Sequence, residues 1–321
     1  MAKKKRKRES VTHKIMAEVI SIQNEKSPHD LTRKNYIRNT KRFIKFCREK
    51  YDCKDFKSCG EHIQDYCNYL QEQGYTASTI HTYIASVCST FDEPMIAVDK
   101  PIRHIGEYSR GRRNIMNHTN QNLNDPEYAR IVEFQKIVGI RRAELVKLTG
   151  DCLAYDESGY PCILVKNGKG RKVQLQRLNK PEDVEIIKPY FEGKASNELI
   201  FSDKELNNDL NLHKLRALSA QEFYNINLQR LMNNPEYEDQ MLEEIQKRWE
   251  RFNINKATGK PKPFDITKFK GKWYATRGTI RKSAIENKKA IRYQKTCALY
   301  TSMMKLSHFR LNVCIENYLI V

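Results

Sequence analysis

The stretch from Cys152 to Leu178, CLAYDESGYPCILVKNGKGRKVQLQRL, decides the fold class. It holds three short β-like runs, Cys152 to Tyr155, Cys162 to Lys166 and Lys172 to Leu178, separated by the turn strings Asp156-Glu157-Ser158-Gly159 and Asn167-Gly168-Lys169-Gly170. Short runs joined by turns of this composition predict a small antiparallel sheet. Outside it, apolar residues recur with the helical period almost to the end of the chain, and no internal repeat is present. The expected class is mainly α with a small antiparallel β-sheet.

Working outward, Leu31 to Cys47 places Tyr36, Thr40, Phe43 and Cys47 on one side of a helix and Lys34, Arg38, Lys41 and Lys45 on the other. One side packs; the other is a cationic stripe suited to phosphates. A helix from about Glu61 to Gln73 turns Ile63, Tyr66, Cys67 and Leu70 inward, with Gly74 as its left-handed stop. The next, Ser78 to Phe91, buries Ile80, Tyr83, Ile84, Val87, Cys88 and Phe91 and leaves His81, Thr82 and Ser86 outward. Together with Thr79, these small polar and imidazole side chains are candidates for contacts to DNA backbone or bases.

Between about Asp92 and Asn124, with Pro94, Pro101, Arg110, Gly111, Arg112 and Arg113, periodicity is lost. The expected division is therefore a basic disordered arm at 1–10, a helical domain at 11–95, a linker at 96–124, and a second domain at 125–321. A charged helical insertion is expected at about 225–290. The arm reads equally as a solvated tail and as a clamp along phosphates, with a nuclear import signal, in a eukaryote, as a further functional reading. The second domain opens with a helix around Pro126 to Val138, broken at Gly139 and resumed from Arg141 to Leu148.

Composition sets the functional class. Lys plus Arg number 58 against 39 Asp plus Glu, a formal charge of +19, which points to a polyanionic partner and foremost to nucleic acid. With 39% hydrophobic residues over 321, there is core material for about two domains. Apolar runs fall far short of the roughly 20 residues of a bilayer crossing. The basic start is followed by no apolar stretch, so it is not a secretory signal and the chain is expected inside the cell. Nine cysteines, none in a C-x-x-C pair, argue against a disulfide framework and against a zinc ribbon. Cys47, Cys53, Cys59 and Cys67 lie close enough in sequence to raise a metal site, but most read as core or loop positions, and no metal is expected.

The chemistry-bearing residues are scattered. Arg141 opens a helical turn after Gly139, and Glu144, three residues on, lies on its side of the turn and pins it. A pinned guanidinium presents a planar fork to two oxygens of one phosphate. Arg142 is the alternative for that role. Lys169 sits at the tip of a predicted hairpin, His213 and Arg216 share a helical face, and His308 and Tyr318 lie near the C-terminal end.

In order, G-I-R-R-A-E-L at 139–145, N-G-K-G at 167–170, H-K-L-R at 213–216, L-S-H at 306–308 and Tyr318 in E-N-Y-L resemble the tyrosine recombinase (phage integrase) family. The string T-A-S-T-I-H-T-Y-I-A-S-V at 76–87 is similar to that family's core-binding domain, and the likeness spans roughly Leu31 to Leu319. It is closest to integrases of conjugative transposons and related mobile elements, where a K-L-S-H string precedes the tyrosine. The resemblance implies a helical core-binding domain followed by a mixed α/β catalytic domain, and site-specific strand exchange on double-stranded DNA through a 3′-phosphotyrosine intermediate.

It further implies that Tyr318 is the nucleophile and that Arg141 and Arg216 hold the non-bridging oxygens. Lys169 would protonate the leaving 5′ oxygen, His213 would assist proton transfer, His308 would donate to the phosphate, and Glu144 would support the site. Because the phosphotyrosine bond conserves the phosphodiester energy, no cofactor is expected, and the chain has no G-x-x-x-x-G-K-[ST] loop. Expected partners are a homotetramer of this chain on two paired duplexes and accessory DNA-bending or directionality factors, in a cytoplasmic, nucleoid-associated setting. A catalytically inactive DNA-binding relative and a type IB topoisomerase-like enzyme stay open as alternatives.

This sequence departs from the family pattern in four ways. Ser307 stands where glycine is common, Ala217 where histidine is common, and Tyr318 lies one position farther from His308 than in many members. The interval from Arg216 to His308 is also much longer than in compact members. That interval reads as an inserted helical hairpin plus loop, either a solvated excursion or a contact surface. With three residues after Tyr318, the tail that some members exchange between subunits is expected to be essentially missing, dispensable here or lost by truncation.

Overall fold

The computed structural model describes residues 10–27, 29–103, 121–168, 173–206, 210–255, 257–286 and 288–320. The expected basic arm, apart from Ser10, and the middle of the expected linker lie outside the described residues. The chain separates into two compact units, residues 1–109 and 110–321.

The first unit is helical. Ser10 caps α1 (Val11–Lys26) by accepting from the His13 amide at 3.2 Å, and α1 buries Ile15, Val19 and Gln23 four residues apart. Helix α2 (Asp30–Tyr51) buries Phe43, Ile44, Phe46 and Cys47, while Lys34, Arg38, Lys41 and Lys45 are exposed, as the wheel predicts. The chain turns at Asp52 (φ +49°) into the short α3 (Phe56–Gly60), then α4 (Ile63–Glu72), stopped at Gly74 (φ +73°), and α5 (Ala77–Phe91), capped by Thr76.

The aromatic centre is Phe43, whose ring lies 5.2 Å from Tyr66 and 5.5 Å from Phe91. Beside it runs a buried polar seam. Gln23 donates to Thr90 at 3.0 Å, Thr40 and Thr90 hydroxyls meet at 3.1 Å, and Asn39 donates to Ser86 at 3.0 Å. Ser86 is therefore inside, not outward as the periodicity indicates, because a small hydroxyl can enter a packed face when a neighbouring helix supplies its partner. Part of the expected linker also belongs to this unit: Val98 is buried with the core, and Asp99 exchanges hydrogen bonds with the Gln64 side chain.

The second unit has two apolar centres. The first gathers α6 (Ala129–Val138), the single turn α7 (Arg142–Leu145), the short α8 (Val184–Ile187), and a sheet of β1 (Leu153–Tyr155), β2 (Pro161–Val165) and β3 (Gln174–Arg177). Its order is β1-β2-β3, antiparallel throughout, with Leu153 opposite Ile163 and Val165 opposite Gln174. The second centre gathers α9 (Leu212–Asn233), α10 (Tyr237–Phe252), α11 (Gly278–Glu286), α12 (Lys295–Tyr300) and α13 (Leu311–Cys314). A two-stranded antiparallel sheet not anticipated from sequence, β4 (Trp273–Ala275) with β5 (Arg292–Gln294), flanks α11. Three-residue strands are too short for alternation to register.

Within the stretch expected as an insertion, α9 runs on to Asn233 and α10 follows it, packed into the second centre. Met241, Leu242 and Ile245 of α10 are buried. The buried Glu238 carboxylate accepts from Gly271 N, Gln294 Nε2 (2.7 Å) and Thr296 Oγ1 (2.7 Å), tying α10 to the segment before β4 and to the β5–α12 junction.

Arg177, at the end of β3, is the main electrostatic bolt between sheet and helices. Its guanidinium donates to Asp156 (2.6 Å), Glu244 (2.5 Å), Ser158 (2.8 Å) and the Tyr300 hydroxyl. Burial alone would raise the Asp156 carboxyl, but hydrogen bonds from Ser158 and Arg177 hold it below the usual range. Removing one partner of such a buried network strands the others, so Arg177→Ala should cost about 3–5 kcal/mol in urea unfolding. A depressed carboxyl contributes stability that is complete above the unfolded value of about 3.9 and is lost as pH falls through the folded value. Asp156→Asn should accordingly flatten the acid limb of a stability-versus-pH curve; an unchanged limb would show that this carboxylate does not contribute.

Candidate active site

The site begins where α6 ends. Gly139 has φ +64°, and a Cβ there would lie 2.7 Å from Ser219 Oγ and 2.8 Å from its Cβ on α9. Only glycine allows both the left-handed turn and so close an approach. The Gln135 side chain staples the exit by donating to Ile140 O at 2.9 Å and accepting from Ile140 N at 3.0 Å. Arg141 comes next as the N-cap of α7. Its amide donates to Glu144 Oε2 at 2.8 Å and its guanidinium to Glu144 Oε1 at 2.5 Å, so a buried carboxylate fixes the side chain. Arg142, the alternative, turns away and donates to the Leu206 carbonyl.

Arg216, one helical turn into α9, is fully buried. It donates to the Gly139 carbonyl, to Gln176 Oε1 of β3 at 3.3 Å and to the Leu306 carbonyl at 2.8 Å. Arg141 reaches that same Leu306 oxygen at 3.3 Å. Two guanidinium groups from separate helices thus converge on one acceptor. Burial, reinforced by the Arg141 charge, pulls the Arg216 guanidinium below its usual value.

The segment carrying Leu306 is bounded by two π-helical turns. One, Thr301–Lys305, continues α12, and a second, Ile315–Leu319, continues α13 and carries Tyr318. Each inserts a residue and re-aims the chain beyond it. Between them, Ser307 adopts φ +51°, and His308 is clamped through its amide to Ser302 O (2.7 Å) and its carbonyl to Ser302 Oγ (2.9 Å). The His308 ring nitrogen Nε2 then lies 3.1 Å from Arg141 Nη2 and 3.4 Å from the Tyr318 hydroxyl. The Tyr318 ring is 5.7 Å from the Arg216 guanidinium carbon and 5.3 Å, centroid to centroid, from His213. Gln221 of α9 holds the Tyr318 carbonyl at 2.9 Å.

Five of the six expected catalytic residues therefore come together: Arg141, His213, Arg216, His308 and Tyr318. The sixth, Lys169, lies outside the described residues. Tyr318 is 5% exposed, so in this state the phenol is packed away. Sequence reading missed Lys305, which is fully buried and donates to the carbonyls of Ile137 and Arg177 (2.9 Å), bridging α6 and β3 beneath the site. Burial pulls its ammonium well below the usual value. The available signal was Lys305 as the one charged residue in the stretch Cys297 to Leu306.

In the first unit the expected DNA-contacting residues divide. Lys34, Arg38, Lys41 and Lys45 line the exposed side of α2, with Lys34 paired to Asp30 at 2.7 Å and Lys45 to Glu49 at 3.6 Å. Thr79 shares a hydroxyl contact with Thr76 at 3.1 Å, Thr82 donates to Ser78 O at 2.9 Å, and the His81 ring meets Pro101 O at 2.9 Å.

Two substitutions test the local account. Gly139→Ala combines an overpacking cost of about 1–3 kcal/mol with a left-handed backbone cost of roughly 1–2 kcal/mol, and the summed loss should appear in chemical denaturation. Ser307→Gly should stabilise by about 1 kcal/mol, because it relieves the left-handed strain and removes a buried hydroxyl that has no hydrogen-bond partner among the described residues. Destabilisation by Ser307→Gly would contradict the assigned backbone.

Residues 17–93 match the family model of the phage integrase N-terminal SAM-like domain. No curated protein matches the chain. Among solved structures, the crystal structure of XerA recombinase is similar over 70% of this chain and 85% of its own, at 16% identity and a TM-score of 0.22. No helix of the described residues is long and apolar enough to cross a membrane.

Proposed function

We propose that the chain is a site-specific DNA recombinase of the tyrosine type, which cleaves and rejoins double-stranded DNA to integrate or excise a mobile element. The observation that carries this reading is the convergence of Arg141 and Arg216 on one oxygen beside the Tyr318 phenol.

In this reading a scissile phosphate displaces the Leu306 carbonyl from the two guanidinium groups, and the segment bearing Tyr318 moves to present its hydroxyl. Tyr318 Oη attacks phosphorus; the new P–Oη bond forms as the bond to the 5′ oxygen breaks, leaving a 3′-phosphotyrosine. His213 takes up the phenol proton, Lys169 gives one to the departing 5′ oxygen, and His308 donates to the phosphate. Proton transfers of this kind contribute about 10² to 10⁴ each. The arginines meet the charge that accumulates on phosphorus oxygens in the transition state, and Glu144 keeps Arg141 in place. Rejoining is the reverse attack by a 5′ hydroxyl.

The first unit would grip the duplex through the α2 stripe, with Thr79, His81 and Thr82 near the backbone or bases. Strand exchange would need four chains on two paired sites, together with accessory factors, wherever the cell keeps its DNA.

A nicked suicide duplex carrying an element end tests the chemistry. Wild type should accumulate a covalent adduct, Tyr318→Phe none, and Arg141→Ala or Arg216→Ala about 10² to 10³ less. Absence of an adduct from wild type on every element end would leave a DNA-binding protein without catalysis. Binding should fall steeply with salt, and Lys34→Ala or Lys41→Ala should each lower the slope of log affinity against log salt by about one.

A further inference from the structure

All nine cysteines are buried and unpaired by disulfides, yet one trio differs from the rest. Cys47 ends the packed face of α2, Cys53 comes just after the left-handed turn at Asp52, and Cys59 lies on α3. Their sulfur atoms all lie within 4.8 Å of one another, the one such group of metal-ligating side chains among the described residues. Three thiols from three local elements thus meet at a common point.

We propose that Cys47, Cys53 and Cys59 form a three-thiolate binding site for a soft d¹⁰ metal ion, of the zinc(II) or copper(I) class. Bonds of about 2.3 Å to one ion put sulfurs about 3.8–4.0 Å apart, so small side-chain rotations close the trio onto a metal. Thiolate-only donors select such ions over hard oxygen-seeking cations. A trigonal copper(I) site would be complete with three ligands, whereas zinc(II) would keep a fourth position open. Arg48 is anchored beside the trio, donating to the Cys53 carbonyl at 2.6 Å and to Asp52 at 2.9 Å, and so places one positive charge next to the thiols. Cys53, at 6% exposed, is the sulfur ligand nearest solvent and marks the way in, while Cys47 and Cys59 have no exposure. The bound ion would clip the end of α2 to α3, fixing the corner from which the cationic stripe of α2 extends.

The test does not depend on recombination. Fully reduced full-length protein, its nine thiols verified by titration, is titrated with cadmium(II) as a spectroscopic stand-in for zinc, and separately with copper(I). One ion per chain should bind, with a thiolate-to-metal charge-transfer band and an increase in thermal stability. Cys53→Ser should weaken binding at least tenfold and reduce the band by about a third, one thiolate of three. Cys59→Ser should behave likewise, and Cys67→Ser, outside the trio, should leave binding unchanged. Circular dichroism of the metal-free variants checks that each is folded; Cys53→Ser alters a turn rather than a helix and suffices alone if Cys59→Ser does not fold. The proposal is overturned if the reduced wild type shows no saturable band with either ion, or if the band survives intact in folded Cys53→Ser.

Discussion

A fully buried guanidinium has to be surrounded by acceptors, and Arg216 obtains them from three separate parts of the chain: the carbonyl of Gly139, the side chain of Gln176 and the carbonyl of Leu306. An uncompensated charge in such a place would cost several kcal/mol. The end of α6, the strand β3 and the turn after α12 must therefore all be in position before α9 can carry this arginine. Gly139 makes the first of these contacts geometrically possible, and the π turn before Leu306 makes the last.

The same economy recurs around it. Lys305 satisfies its ammonium with two backbone carbonyls, Arg177 with two carboxylates and two hydroxyls, and Glu238 with three donors from two segments. Each buried charge lies where elements distant in sequence meet, so each acts as a register pin more than as a source of raw stability. The apolar centres supply the bulk of the driving force; the ionic pins select one arrangement of helices. The result is a phenol held beside Arg216 and two histidines, with the Leu306 carbonyl accepting from both Arg141 and Arg216.

The first unit uses neutral polarity for the same purpose. Asn39, Thr40, Ser86, Thr90 and Gln23 join α1, α2 and α5 through hydrogen bonds that are satisfied only in one alignment. That alignment leaves the lysines and arginine of α2 facing solvent as a continuous stripe, so packing on one side of the helix dictates the presentation of charge on the other.

Local periodicity was enough to read α2, α4 and α5, the three-stranded sheet and the break at Gly139, because each depends on neighbours within a turn or a hairpin. The ordered motifs around Arg141, Arg216, His308 and Tyr318 were legible as residue types. Their meeting was not, since 165 residues separate Arg141 from the Leu306 carbonyl it reaches. The pairing of Arg141 with Glu144 was legible from their spacing, whereas the turn of Arg142 to the Leu206 carbonyl was not. Lys305 and the inward Ser86 escaped because burial of a polar or charged group depends on partners that only tertiary folding supplies. The β4–β5 pair escaped because its strands are too short for alternation to register, and the burial of α10 because its apolar face needs the rest of the second centre to pack against. What the amino-acid order determines here is which groups are available and how each element faces its own neighbours; which distant oxygen, ring or thiol each group meets is decided only when the helices close around shared charges.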